Sequence, residues 1–373
     1  MARAPALSDS EALPEADKLE GFPHPRETLV LVGHQAAEQT FADALNAGKI
    51  HHAWLLSGTE GIGKAALSYR VARAALARPE DRDPFGGSLH IETNTPAYRQ
   101  VTALSHPGLL VIRRGYDQKA KRFATSITVD DVRRLRNFLS LSAESQGWRV
   151  VIVDSADDLN VNAANALLKS LEEPPAKTIF LIISSAPGRL LPTIRSRCRS
   201  LALSPLGPED LLKAVRGALE AAGKPAIAPA DFQALAPFAG GSPRRLLAMA
   251  DGGGLALQAK IAKVFEGLPS LDLKVAHALA DELQPAAQEQ KFELFYDLFL
   301  SFLARLVRAG AAQAGERSEV ALSNRIMGEA RLATFAHLWE TLARDKADAL
   351  LLNLDRKSLI LDTLSKLEAA ARS

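Results

Sequence analysis

Residues suited to phosphate chemistry fall in three places along the chain. Gly58 to Ala65 reads GTEGIGKA. Gly58, Gly61 and Gly63 allow a tight turn whose backbone N–H groups can cradle phosphate oxygens, and Lys64 can reach the terminal phosphates. A P-loop of this kind ends in Ser or Thr, whose hydroxyl ligands Mg²⁺; this chain has Ala65, whose methyl cannot. The second place is Asp154, directly after the apolar run Val150 to Val153. A carboxylate at the end of a buried parallel strand sits where open α/β sheets bind ligands. Its neighbour is Ser155, and Asp157 and Asp158 lie beyond the strand end, so neither is assigned as a catalytic base. The third place is RSRCR, Arg195 to Arg199, where Arg195, Arg197 and Arg199 surround the sole cysteine, Cys198.

The elements that must position these residues follow from periodicity. Apolar runs at 53–56, 109–112, 150–153 and 179–183 predict strands buried on both faces, and 199–203 predicts a fifth. A helix over 65–77 would aim its N-terminus at a bound anion. An earlier helix between Glu27 and Lys49 carries Ala37, Phe41, Leu45 and Ile50, with Gly48 ending it. Thr128 with Asp131 reads as a capping box for a helix bearing Val132, Leu135, Phe138 and Leu139. Asn160 or Asn162 caps the next helix, whose stripe is Val161, Ala164, Leu168 and Leu171, and Pro174 and Pro175 stop it. Beyond Asp251-Gly-Gly-Gly the pattern is purely helical. Helix 289–309 stacks Phe292, Phe295, Phe299, Phe302 and Leu306 on one face, and another helix is predicted over 347–371. Such an aromatic stripe reads as bundle core.

In this order, the Asp154 strand, LLKSLEEPP (Leu167 to Pro175) and RSRCR resemble bacterial clamp-loader subunits of the AAA+ superfamily, most nearly the delta-prime type. The resemblance implies an α/β P-loop domain with a five-stranded parallel sheet and the P-loop strand in the middle. A small helical lid and a C-terminal helical collar that joins ring subunits would follow. The expected boundaries are a flexible arm at 1–25, the AAA+ domain at 26–205, the lid at 206–254 and the collar at 255–373. By the same resemblance, ATP or ADP would bind at Gly58, Gly61, Gly63, Lys64 and Asp154, with Val32 to His34 beside the adenine. Ser184 or Ser185 stands at the sensor-1 position, Arg244 of GGSPRRLL at sensor 2, and Arg197 is the arginine finger offered to a neighbour's ATP. The implied partners are gamma/tau and delta subunits, the sliding clamp, and primed DNA reached directly or through the complex. Such a chain is a subunit of the DNA polymerase holoenzyme with no polymerase active site of its own. Active relatives have a glutamate where this chain has Ser155. With Ala65 and Ser155 hitting the metal ligand and the water-activating group, hydrolysis should be close to nil. Many relatives also hold a four-cysteine zinc module within 78–107; only His90, Glu92 and His106 remain here, so no zinc is expected. An ATP-hydrolysing gamma/tau-like motor or another AAA+ remodeller is the alternative, disfavoured by Ala65 and Ser155. A small-molecule P-loop kinase, with no need of a ring interface, is disfavoured by RSRCR and LLKSLEEPP.

Bulk properties agree. A chain of 373 residues, 47% of them hydrophobic, allows two or three domains with true cores. A net charge of +2 excludes a protein that coats DNA by charge alone. One cysteine excludes an internal disulfide framework and fits a reducing cytoplasm. The first twenty residues are acidic and lack the apolar core of a signal peptide. The run Arg113 to Arg122 holds five basic residues and one acid; it reads as a solvated loop, with nucleic-acid contact as the alternative.

Overall fold

The computed structural model describes residues 14–119, 122–141, 147–285, 288–314, 316–352 and 354–372. By contacts these divide into two compact units. One comprises the described residues up to Ala226 together with Gly241–Arg244, and the other Ile227–Gly240 with Arg245 onward.

The first unit is an α/β layer structure. In chain order it contains α1 (Gln35–Asn46), β1 (Ala53–Ser57), α2 (Lys64–Leu76), α3 (Pro96–Thr102), β2 (Leu109–Ile112), β3 (Tyr116–Asp117), β4 (Arg122–Phe123) and α4 (Val129–Leu141). Then come β5 (Arg149–Val153), α5 (Val161–Glu172), β6 (Thr178–Ser184), α6 (Pro192–Arg195), β7 (Arg199–Ala202) and α7 (Pro208–Ala221). Five strands pair in parallel in the order β2-β5-β6-β1-β7, while β3 and β4 form a separate antiparallel hairpin. The P-loop strand β1 is therefore not in the middle, as the resemblance implied. It lies next to the edge, flanked by β6 and β7, and β6 takes the centre with every residue buried.

Alternation along the strands feeds two cores. Trp54, Leu56, Ile152, Leu181 and Ile183 meet Phe41, Leu67 and Val71 from α1 and α2 on one face. Leu55, Val151, Val153, Phe180 and Ile182 meet Leu135, Ala163, Leu167 and Leu171 from α4 and α5 on the other. Burial on both faces is why these strands read as continuous apolar runs, and each such side chain contributes roughly 1.5–3 kcal/mol. Asn160 caps α5, its side chain accepting from Ala163 N at 2.9 Å. The buried face of α5 is Ala163, Ala164, Leu167 and Leu171, whereas Val161 is 68% exposed. Val161 opens the first turn, ahead of the stretch that packs on the sheet, so the expected stripe is rotated. At α4 the cap is the acid: Asp131 accepts from both the N–H and the hydroxyl of Thr128.

The helices that complete the chain are α8 (Pro229–Ala239), α9 (Pro243–Asp251), α10 (Gly254–Gly267), α11 (Leu273–Leu283), α12 (Glu289–Ala312), α13 (Arg317–Ile326), α14 (Gly328–Leu352) and α15 (Arg356–Arg372). The α12 stripe is core as read: Phe292, Phe295, Phe299 and Leu306 are almost fully buried. Phe265 of α10 packs 5.2 Å from Phe299 and 5.0 Å from Phe302 between ring centres. The helix expected over 347–371 is two helices. Asp355 starts the second by accepting from the N–H and hydroxyl of Ser358, a cap hidden in LDRKS. Among the described residues, no helix is long and apolar enough to cross a membrane.

Candidate functional site

The loop after β1 and the start of α2 build the phosphate end of the site. Gly63, at φ 113°, is the residue before α2, and Lys64 is the first residue of that helix. Gly61 has φ 75°, and a Cβ there would lie 2.5 Å from both Ser242 Oγ and Arg244 Cβ, so only glycine lets the 241–244 turn approach. Arg244 N–H donates to the Gly61 carbonyl at 3.4 Å. On the other flank, buried His34 places Nε2 2.7 Å from the Ile62 carbonyl. The Val32–Gly33–His34 turn is thus tied to the loop.

Lys64 is buried, and its ammonium is folded onto its own loop. It donates to Gly58 O at 2.5 Å, Thr59 O at 2.7 Å and Ser185 Oγ at 3.0 Å. Burial pulls it below the ordinary lysine range, opposed by the charges of Glu60, Asp154 and Asp157. Asp154 follows β5 and lies within the electrostatic reach of Lys64. Burial first, then the Asp17 carboxylate, push its carboxyl up to about 7, tempered by Arg113, Lys64 and Arg244. Its Oδ2 is shielded from solvent and has no hydrogen-bond partner.

Asp157, not assigned as a base from the sequence, is held on several sides. It accepts from Ser155 Oγ (3.0 Å), Ser184 Oγ (2.6 Å), Ser185 N (2.6 Å) and Ala186 N (3.3 Å). Its carboxylate is thus engaged on both oxygens by Ser155 and by the end of β6 and the turn that follows. The same bonds separate the two sensor-1 candidates. Ser184 is fully buried and turned to Asp157, and Ser185 is the one that meets Lys64. Asp158 pairs with Arg114 at 2.9 Å. Nothing in the local pattern SADDL distinguishes these roles, because they depend on strands far apart in the chain.

The donors fit the phosphates of a nucleotide better than its metal. Positive-φ glycines, the α2 N-terminus and Lys64 present N–H groups to an anion. For Mg²⁺ the unpartnered Asp154 oxygen is on offer. Ala65 has no oxygen, and the Ser155 hydroxyl is committed to Asp157. The residues present therefore do not make a Mg²⁺ site of the ordinary kind.

Arg197 lies in the turn between α6 and β7. Its guanidinium donates to Thr193 O at 2.9 Å and to Glu172 Oε1 at 2.7 Å, Glu172 being the first glutamate of LLKSLEEPP. None of these contacts involves the nucleotide loop. Its neighbours differ: Arg199 stacks 4.9 Å from the Trp54 ring, and burial pushes the Cys198 thiol up to about 11. Arg244 does not stand free. Its Nη1 donates to Asp17 O at 2.6 Å and its Nη2 to Lys18 O at 3.3 Å.

Those acceptors come from the segment expected to be a flexible arm. Residues 1–13 lie outside the described ones, but 14–25 are docked. Buried Phe22 lies under Lys224 at 4.5 Å, and His24 is fully buried with Nε2 2.9 Å from the Asp17 carboxylate. Arg113 binds Asp17 at 2.8 Å and also pairs with Glu15. The basic run is thereby partly neutralised within the fold, since Arg113 and Arg114 both have acidic partners; Ala120 and Lys121 lie outside the described residues. His90 pairs with Glu92 at the surface, 3.3 Å apart.

The family model described as DNA polymerase III, delta subunit, matches residues 33–207. The chain is 37% identical over 256 residues to the DNA polymerase III subunit delta' of Pseudomonas aeruginosa, covering 68% of this chain and 71% of that protein. It is 31% identical over 228 residues to the subunit gamma/tau of Mycobacterium bovis, covering 59% of this chain and 36% of that one. Among solved structures, a DNA polymerase III gamma subunit-related protein of Thermotoga maritima aligns with 90% of this chain and 100% of its own, at 18% identity and a TM-score of 0.45.

Proposed function

We propose, from the premise that this chain belongs to the DNA polymerase III delta-prime family of clamp-loader subunits, that it serves its complex as a hydrolytically silent subunit offering Arg197 to a neighbour's ATP. Its partners are then gamma/tau and delta subunits in a cytoplasmic ring that loads the sliding clamp onto primed DNA. The C-terminal helices from about Gly254 serve as its collar, and its own site holds ATP or ADP through Gly58, Gly61, Gly63 and Lys64 without turning it over.

The observation that carries the silent reading is the saturation of Asp157. Ala65 supplies no metal ligand, Ser155 is no base, and the next carboxylate in the chain, Asp157, is held by four hydrogen bonds. Phosphoryl transfer depends on positioning and charge, so a site missing both groups has little left to accelerate it. The donor role is supported by the placement of Arg197 in a turn, partly exposed, clear of its own P-loop contacts and aimed by Glu172 and Thr193.

The test is a reconstituted complex containing wild-type or Arg197→Ala chain. Fingers of this kind are worth about 10³–10⁵ in rate at a single site, diluted where a ring has several sites. Arg197→Ala should leave assembly by size exclusion unchanged and lower clamp- and DNA-stimulated ATPase. Arg197→Lys should rescue poorly, because a point charge lacks the planar fork that pairs two phosphate oxygens. Normal ATPase in a fully assembled Arg197→Ala ring would reduce Arg197 to a surface residue.

A further inference from the structure

The acids of the docked N-terminal segment stand among the residues that would receive a nucleotide's phosphates. Both terminal nitrogens of Arg244, the group placed to meet a terminal phosphate, are spent on the main-chain carbonyls of Asp17 and Lys18, at 2.6 and 3.3 Å. The Asp17 carboxylate is among the charges that act on Asp154. It is held in place by Arg113 at 2.8 Å and by His24 at 2.9 Å, and Glu15 pairs with Arg113 and Arg26. Burial alone would raise the Asp17 carboxyl, but His24 and Arg113 hold it below its usual value, so it stays ionised. The anchors are firm. His24 is fully buried against the edge of the Tyr69 ring, and Phe22 is buried under Lys224. Arg73 of α2, itself buried, donates to Arg26 O and Thr28 O, fixing the chain that follows the segment. Lys64 meanwhile donates to Gly58 O and Thr59 O.

We propose that residues 15–18 form a strap that competes with a nucleoside triphosphate, supplying Arg244 with carbonyl oxygens in place of terminal phosphate oxygens and setting the Asp17 carboxylate where added negative charge is repelled. The strap is an intramolecular competitor. A triphosphate binds only when the strap lifts from Arg244, and a site competent one time in ten binds about tenfold more weakly than its intrinsic affinity. The device concerns occupancy of this chain's own P-loop and is independent of Arg197.

The test measures binding of N-methylanthraniloyl-ATP by fluorescence anisotropy, in EDTA so that only phosphate recognition is read. The full-length chain is compared with Glu15→Ala/Asp17→Ala and with Glu20→Ala, which removes an exposed acid just outside the strap. The double variant should bind about tenfold tighter or more, and Glu20→Ala should match wild type. Adding Lys64→Ala to the double variant should abolish the gain if the P-loop is where the probe binds. A folded double variant, by circular dichroism, whose affinity stays within twofold of wild type overturns the strap. Should that variant not fold, the wild-type chain decides: millimolar ATP should speed tryptic cleavage after Lys18 as the strap is displaced, and an unchanged cleavage rate overturns it equally. The readout is affinity, not turnover, so failure here leaves the finger and the silent-site reading standing.

Discussion

Removing the Asp157 carboxylate should destabilise the α/β unit far more than an ordinary substitution at a partly exposed residue. Asp157 accepts four hydrogen bonds, from two serine hydroxyls and two main-chain N–H groups. Bonds to a charged acceptor are worth about 1.5–3 kcal/mol each, but the four do not simply add. Ser185 is exposed, so its N–H can turn to water. Ser184 is fully buried, so its hydroxyl is stranded and costs about 1–3 kcal/mol by itself. The expected loss for Asp157→Ala is therefore about 3–5 kcal/mol. Asp157→Asn should lose roughly half as much, because one carbonyl oxygen still accepts while the amide N–H₂ faces two donors. For a unit of this size about 1 kcal/mol moves Tm by about 2–4 °C, so Asp157→Ala should melt roughly 6–20 °C lower. The unit carries Trp54 and Trp148, while Trp339 sits on α14. Thermal melts by intrinsic fluorescence in a Trp339→Phe background would follow the α/β unit alone. An Asp157→Ala melt within about 2 °C of its parent would refute the reasoning and return Asp157 to the list of free carboxylates that could act on a bound nucleotide.

Two further outcomes follow from the same site. Asp154→Asn should stabilise the α/β unit more at pH 8 than at pH 5. The folded carboxyl, raised to about 7, keeps a proton that the unfolded one gives up near the ordinary aspartate value of 3.8. Wild-type stability from this group therefore falls as pH rises between those values, and the gain from Asn should be larger at pH 8 than at pH 5 by roughly 2–3 kcal/mol, read from paired melts. The isolated chain with Mg²⁺ should turn over ATP far below the about 1–10³ s⁻¹ of working enzymes. Ala65→Thr should not restore turnover, since Ser155 still offers no base; a rate in that range, abolished by Lys64→Ala, would return the motor reading.

What was legible in the sequence was what phosphate chemistry and the sheet fix locally. A P-loop needs glycines and a lysine at set spacing, and a strand buried on both faces needs an unbroken apolar run. Gly58 to Lys64, Asp154 and the five strands were readable for those reasons. Strand order was not, because the pattern of β1 is the same beside an edge as in the centre. Val161 looked like part of a buried stripe since helical spacing does not say how far along the sheet a helix sits. The break before α15 turned on one aspartate, Asp355, and a helical period runs through such a cap unmarked. The strap was least legible of all. Glu15 and Asp17 are residues of a disordered tail by composition, and their partner Arg113 is nearly a hundred positions away, inside a run that read as solvated.

The polar groups of this site are largely paired with one another: Lys64 with the loop carbonyls, Arg244 with the strap, and Asp157 with the turn after β6. A motor must exchange such contacts at every turnover, whereas a subunit with the role proposed for this chain gains from keeping them. The position of Arg197, the finger in the proposed role, is set along one stretch of chain. Asp157 fixes the root of the connection at Ser185 and Ala186, Ile194 of α6 is buried in the core beneath it, and Glu172 holds the tip at Arg197. One loss from the catalytic set, at Ser155, has a counterpart in that stretch. Ser155 is no base but donates to Asp157, and Asp157, unavailable to a nucleotide, anchors the segment that carries Arg197. A guanidinium that must meet a phosphate on another subunit loses rate steeply with small misplacement. If Arg197 has the role proposed for it, the hydrogen bonds that engage Asp157 at its own site are the ones that hold Arg197 ready for the neighbouring one.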